Sequence, residues 1–136
     1  VSRICLDSNV LVAAFAARGL CADLLRLVLS EHHLVVPEVV ADETRRVLRD
    51  KIGADLEGMA SFEAVLGQCE MAPTTSAPSS IPVRDPDDER VLAETLAARC
   101  EFLVSGDDDL LSVAADSPIP ILSPRAFMTL ARGGAP

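Results

Sequence analysis

The chain has no tryptophan and no tyrosine, and four phenylalanines are its whole aromatic complement. That scarcity argues against recognition of single-stranded nucleic acid by stacking, which needs several aromatic faces. Lysine is nearly absent too, with Lys51 alone against eleven arginines. No apolar run approaches the roughly 20 residues that cross a bilayer, and Val1 to Val10 lacks the basic start and long apolar stretch of a secretory signal. A soluble, cytoplasmic protein with no membrane association is the expectation. The four cysteines, Cys5, Cys21, Cys69 and Cys100, include no C-x-x-C pair, and no histidines stand at metal-site spacing. They are expected to be reduced and mostly buried, holding neither zinc nor a disulfide framework. His32 and His33 fall together between an apolar helix and an apolar strand, where a solvated corner is expected and no chemistry is suggested.

Positive charge is also short. A net charge of −9 argues against the generic electrostatic footprint of a nucleic-acid binder. The acidity is uneven, however: Asp85, Asp87, Asp88 and Glu89 share one short window and Asp107, Asp108 and Asp109 another, so two windows hold seven of the twenty-one acids. Charge packed so locally points to something that neutralises it.

With 136 residues and 49% hydrophobic content, residues 1–136 have the size and composition of one globular domain with a single core. "RICLD", "LVVP", "FLVSG" and "IPILSP" are short apolar runs that stop at Asp, Pro or Gly, and "CEMAP" is a weaker fifth. Such runs read as strands buried on both faces. Between them, "NVLVAAFAA", "CADLLRLVLSEHH", "PEVVADETRRVLRDKI", "DLEGMASFEAVLGQ", "DDERVLAETLAARC" and "DDLLSVAAD" have helical spacing, and "SPRAFMTLARGG" offers Ser123 as N-cap of a last helix. Strands alternating with helices imply an α/β fold, with a mainly parallel sheet covered on both faces. "PTTSAPSSIPVRDP", Pro73 to Pro86, reads as a long surface loop.

In open parallel sheets ligands bind beyond the carboxyl ends of the strands. Two strands finish on aspartate there, at Asp7 and Asp107. Each could simply cap the helix that follows. On a wheel of about 100° per residue, Glu43 falls inside the arc marked by Val39, Val40 and Val47, so its carboxylate is expected to face apolar surroundings. Such a group is costly unless it is paired, for example with Arg46, or holds a metal. Asp88 lies at the start of a helix for which Asp85 is a plausible N-cap and Pro86 the first residue, so it could merely complement the helix dipole. If Asp7, Glu43, Asp88 and Asp107 converge, their mutual repulsion is best relieved by hard divalent cations, and an all-oxygen site suits Mg²⁺ or Mn²⁺.

These motifs, in this order and spacing, resemble the PIN domain family, in particular its small bacterial VapC-like toxin ribonucleases. "LDSNVLVAAF" is similar to the family's opening motif and "PEVVADETRRVL" to the element carrying its glutamate. "DPDDERVLAETLAARCEFLVSGDDDLL" is similar to its closing pair of acids, and "IPILSPRAFM" to its last strand and helix. The resemblance implies a three-layer α/β/α sandwich with a mainly parallel, four- to five-stranded sheet. It also implies metal-dependent endoribonuclease activity, with Asp7, Glu43, Asp88 and Asp107 as the catalytic, metal-holding acids. Asn9 matches the polar residue two positions after the first acid, and Ser105 the hydroxyl residue that orients the last. Asp85 could share the role given to Asp88, and Asp109 either assists the metal site or favours a helix N-terminus.

The implied chemistry leaves a 5′-phosphate and a 3′-hydroxyl. Arg45, Arg46, Arg49 and Arg84 are the leading candidates for RNA phosphate contacts, with Arg18 and Arg90 also available. A homodimer and a protein antitoxin are further implications of the resemblance. Two readings compete with it: a non-catalytic PIN scaffold that binds RNA or protein, and a Mg²⁺-binding receiver-type signalling domain. A receiver should have a phosphoacceptor aspartate mid-chain and a lysine near the last strands, but here the second strand ends "LVVP" and Lys51 lies elsewhere. A haloacid-dehalogenase-type phosphatase wants D-x-D after the first strand, where Asn9 stands instead.

Overall fold

A computed structural model describes residues 1–76 and 81–133. Residues 77–80 of the Pro73–Pro86 loop, and the last glycine of the "ARGG" ending, lie outside the described residues. Five strands form one sheet: β1 (Arg3–Leu6), β2 (His33–Pro37), β3 (Glu70–Ala72), β4 (Phe102–Val104) and β5 (Ile121–Leu122). All pairings are parallel, in the order β3-β2-β1-β4-β5. β1 is central, with Ile4 opposite Leu34 on one side and Cys5 opposite Leu103 on the other. Successive residues of a strand point to opposite faces, and Ile4, Cys5 and Leu6 are all fully buried, so helices cover both faces. The result is the three-layer α/β/α arrangement.

Among the described residues the α-helices are α1 (Ser8–Ala16), α2 (Leu20–Glu31), α3 (Glu38–Val47), α4 (Leu56–Leu66), α5 (Pro86–Ala97), α6 (Asp108–Leu111) and α7 (Pro124–Ala131). Their starts follow the sequence closely. Asp7, Asp55, Asp85, Asp107 and Ser123 are N-caps whose side chains accept backbone N–H groups of the first turn. Two ends differ from expectation. α3 does not run straight to Ile52; after Val47 it widens into a π-helical turn, Leu48–Ile52, closed by Gly53 at φ 74. The stretch "DDLLSVAAD" is broken, α6 stopping at Leu111 before a 3₁₀ turn at Ala114–Asp116.

The chain steps outward from β1 to β2 and β3, then crosses back to add β4 and β5 on the other side. Strand order therefore reverses between β1 and β4, and the crevice at that switch point is where open α/β sheets bind ligands. In a receiver the first strand lies between the second and third. Here it lies between the second and fourth, so the receiver alternative does not hold.

The core is one cluster running through both layers, with Leu24 and Val28 of α2, Phe62 of α4, Leu92 of α5 and Leu110 of α6 against the strands. Phe15 and Phe62 meet edge to face at 5.3 Å, locking α1 to α4. At the amino ends of the strands Arg3 braces three of them. Its guanidinium holds Glu70 bidentately at 2.9 and 2.8 Å and donates to the Ala98 carbonyl at 2.7 Å. His33 Nε2 meets the same carboxylate at 3.0 Å. The histidines are thus not a bare solvated corner: His33 joins this brace, while His32 Nδ1 accepts the Ser2 N–H at 3.1 Å and its ring packs edge-on to Phe127. Cys5 and Cys100 are buried, Cys21 and Cys69 partly so, and all four are free thiols. Among the described residues, no helix is long and apolar enough to cross a membrane.

Candidate active site

Asp7 leaves β1 at the switch point with 2% of its surface exposed. Because it also caps α1, its Oδ1 accepts the Ser8 N–H at 2.8 Å. Oδ2 accepts Ser105 Oγ at 2.8 Å and Asn9 Nδ2 at 3.0 Å. Burial pushes the Asp7 carboxyl above its ordinary pKa, against the pull of Ser105 and Ser8, and the nearby charges of Glu43 and Asp107 add to the rise.

A second set of bonds fixes the end of β4 to the start of α1. Ser105, fully buried, accepts the Asp107 N–H on Oγ at 3.0 Å while donating to Asp7. Asn9 Oδ1 accepts the Gly106 N–H at 2.9 Å while its amide donates to Asp7. Asp107 caps α6 through one oxygen, Oδ1, which takes the Asp109 N–H at 2.8 Å. Its other oxygen accepts no hydrogen bond from a backbone N–H among the described residues.

Asp88, on the first turn of α5, completes this side. Its carboxyl is pushed up to about 7, chiefly by desolvation, then by the charges of Asp107, Asp7 and Asp85. Asp85, Asp88 and Asp109 can also bring one carboxylate oxygen each to within 4.8 Å of one another. The two acids whose roles stay open in the sequence therefore stand beside Asp88. Asp108 is exposed, as a solvated helix-start residue should be.

Glu43 is placed differently from the wheel's expectation. The buried stripe of α3 is Val40, Ala41 and Thr44, whereas Glu43 lies at its edge with its side chain 38% exposed. It reaches the site through Ser8, whose Oγ donates to Glu43 Oε2 at 2.9 Å. Arg46, the ion-pair partner foreseen as the alternative, is present but distant at 3.8 Å. Glu43 and Arg46 share a cleft of about 270 Å³ with Val39, Asp42 and Asp87, opening beside the acids. Sequence reasoning did not single out Ser8. Its signal would have been a hydroxyl immediately after the first acid, but its partner lies 35 residues away.

The arginines divide into two groups. Arg45 is engaged by Glu63 and Asp42, and Arg49 by Asp50. Arg90 pairs with the buried Glu94 at 3.1 Å. Arg46 and Arg84 border the acids, Arg84 being 89% exposed and 4.0 Å from Asp109. Among the described residues, Asp7, Asp88 and Asp107 form no salt bridge.

No curated protein matches the sequence. Among solved structures, the crystal structure of VapBC2 from Rickettsia felis bound to a DNA fragment from their promoter is similar in fold. The TM-score is 0.63 over 88% of this chain and 96% of that chain, at 13% identity. The PIN domain family model matches residues 3–109, a span that begins on β1 and takes in every acid of the crevice, and the chain belongs to the PIN domain family.

Proposed function

We propose that the protein is a metal-dependent endoribonuclease that hydrolyses RNA phosphodiester bonds at the crevice formed by Asp7, Glu43, Asp88 and Asp107. The observation that carries this reading is the gathering of Asp7, Asp88 and Asp107 without a compensating ion pair, with desolvation first and then the charges of Asp107 and Asp7 raising the Asp88 carboxyl to about 7. The donor set consists of hard carboxylate oxygens, which fits Mg²⁺ or Mn²⁺. Asp7, Asp88 and Asp107 would hold the ion, Glu43 would complete the set from the α3 side, and Asp85 and Asp109 are auxiliary. When bound, the ion supplies a water acidic enough to act as nucleophile near neutral pH and offsets charge on the leaving oxygen.

The chain's own residues do the positioning. Ser105 and Asn9 occupy Asp7 Oδ2, leaving capacity on Oδ1, which takes a single backbone N–H. Arg46 and Arg84, on the margins of the acids, contact the flanking phosphates, and Arg45 and Arg49 reach RNA only by leaving Glu63 and Asp50. Hydrolysis breaks the bond between phosphorus and O3′, leaving a 5′-phosphate on one product and a 3′-hydroxyl on the other.

A protein partner belongs to the same reading. The VapBC2 structure is of a complex on promoter DNA; with that shared fold, this chain acts as the toxin of a toxin–antitoxin pair, as a homodimer held by its antitoxin. The test is Mn²⁺-dependent cleavage of mixed RNAs, with Asp7→Asn and Asp107→Asn as controls. Cleavage lost in both variants supports the reading. Cleavage that survives them removes the site, and no cleavage by the unaltered protein favours a non-catalytic PIN scaffold that binds RNA or protein.

A further inference from the structure

The geometry points to Ser8 as a positioning residue that holds Glu43 in the acid crevice through its hydroxyl; this rests on the nuclease reading. Ser8 is the first residue of α1 and is 8% exposed. Its two polar groups serve two acids on separate elements. The backbone N–H donates to Asp7 Oδ1 at 2.8 Å, and the hydroxyl donates to Glu43 Oε2 at 2.9 Å. A donor held this way restrains the carboxylate it serves, because α1 packs on α3 and Ser8 is buried between its two partners.

Glu43 needs such a tether more than Asp7 and Asp107 do. Asp7 is locked by three donors, and Asp107 by its own helix cap. Glu43 is partly exposed on a long side chain, and its nearest cation, Arg46, lies 3.8 Å from Oε1. Without the hydroxyl, the carboxylate is free to turn outward to Arg46 and water. Residues that orient metal ligands through hydrogen bonds typically change metal affinity by about 10- to 100-fold when removed. Ser8→Ala deletes only the side-chain bond, since the N–H to Asp7 is backbone and the cap of α1 remains.

The test is a double-mutant cycle in Mn²⁺ affinity, measured by calorimetry on the full chain, with RNA cleavage followed in parallel. Wild type, S8A, E43Q and the S8A/E43Q pair are compared, and S8T, which keeps the hydroxyl, is the rescue variant. The expected result is about tenfold weaker Mn²⁺ binding in S8A, near-complete recovery in S8T, and no further loss when S8A is added to E43Q. Wild-type affinity in S8A, or the same added loss in the E43Q background, overturns the role of Ser8 and leaves the nuclease reading intact. A wild-type protein that neither binds Mn²⁺ nor cleaves RNA overturns both. Should S8A not fold, S8C takes its place in the cycle, because a thiol is of similar size but a weak donor.

Discussion

Ser105 Oγ lies 2.8 Å from Asp7 Oδ2, so a buried hydroxyl just beyond β4 donates to a buried carboxylate just beyond β1. The bond ties the two sides of the switch point together and stabilises the charge on Asp7. A hydrogen bond to a charged group contributes about 1.5–3 kcal/mol. Ser105→Ala is expected to lower stability by that order in urea denaturation, and Ser105→Thr to recover most of it.

Asp7 and Asp107 respond differently to the same change. Asn at Asp107 keeps an oxygen for the Asp109 N–H and places its amide where no backbone donor is engaged. Asn at Asp7 must turn its amide toward donors that both oxygens now serve, from Ser8, Ser105 and Asn9. A mismatched buried donor costs about 1–3 kcal/mol. Asp107→Asn should therefore melt at or above the wild-type temperature without metal, and Asp7→Asn clearly below Asp107→Asn.

Stability without metal should fall as pH rises through the window set by Asp88. Its folded pKa of about 7 exceeds its ordinary 3.8, so between those values the native state retains a proton that the unfolded chain has released. The melting temperature in chelator should decline from about pH 4 to 7, and Asp88→Asn should flatten that decline and raise stability at pH 7.5. A decline unchanged in Asp88→Asn would assign it to other groups.

Glu70 acts with the opposite sign. Arg3, and then His33, hold its carboxyl down to about 2 from an ordinary 4.5, so the brace is fully present above about pH 4.5 and is lost as pH falls toward 2. Glu70→Gln should remove part of the acid sensitivity in that range while costing about 1 kcal/mol at neutral pH, the scale of a partly exposed ion pair.

Adding Mn²⁺ should raise the melting temperature of the wild type, by linkage of binding to folding. At about 100 times the dissociation constant the gain is about 2.7 kcal/mol. Asp88→Asn and Asp107→Asn should lose most of that gain; equal protection of these variants would place the ion elsewhere.

Much of this architecture is legible because its strands are buried on both faces and their apolar runs stop at Asp7, Pro37 and Gly106. Asp85, Asp107 and Ser123 could be read as caps because capping is local chemistry. What escaped the sequence depends on distance or on a helix's edge. Ser8 is defined by a partner on another helix. Glu43 looked core-facing because a wheel assigns each helix one apolar arc, whereas α3 borders both the core and an open cleft. The π-helical turn after Val47 carries no residue that announces it before Gly53, and His32 and His33 take their partners from elements distant in sequence, Ser2 ahead of β1, Phe127 of α7 and Glu70 of β3.

The helix caps at Asp7 and Asp107 make the same atoms answerable to folding and, on the proposed reading, to chemistry, but not equally. At Asp107, exchanging one carboxylate oxygen for an amide nitrogen removes a charge from the crevice and leaves the cap intact. At Asp7 the same exchange disturbs the joint between β1 and β4. On the proposed reading, a lineage with this fold could therefore fall silent through Asp107 while keeping its shape, whereas Asp7 could not be given up without the fold registering the loss.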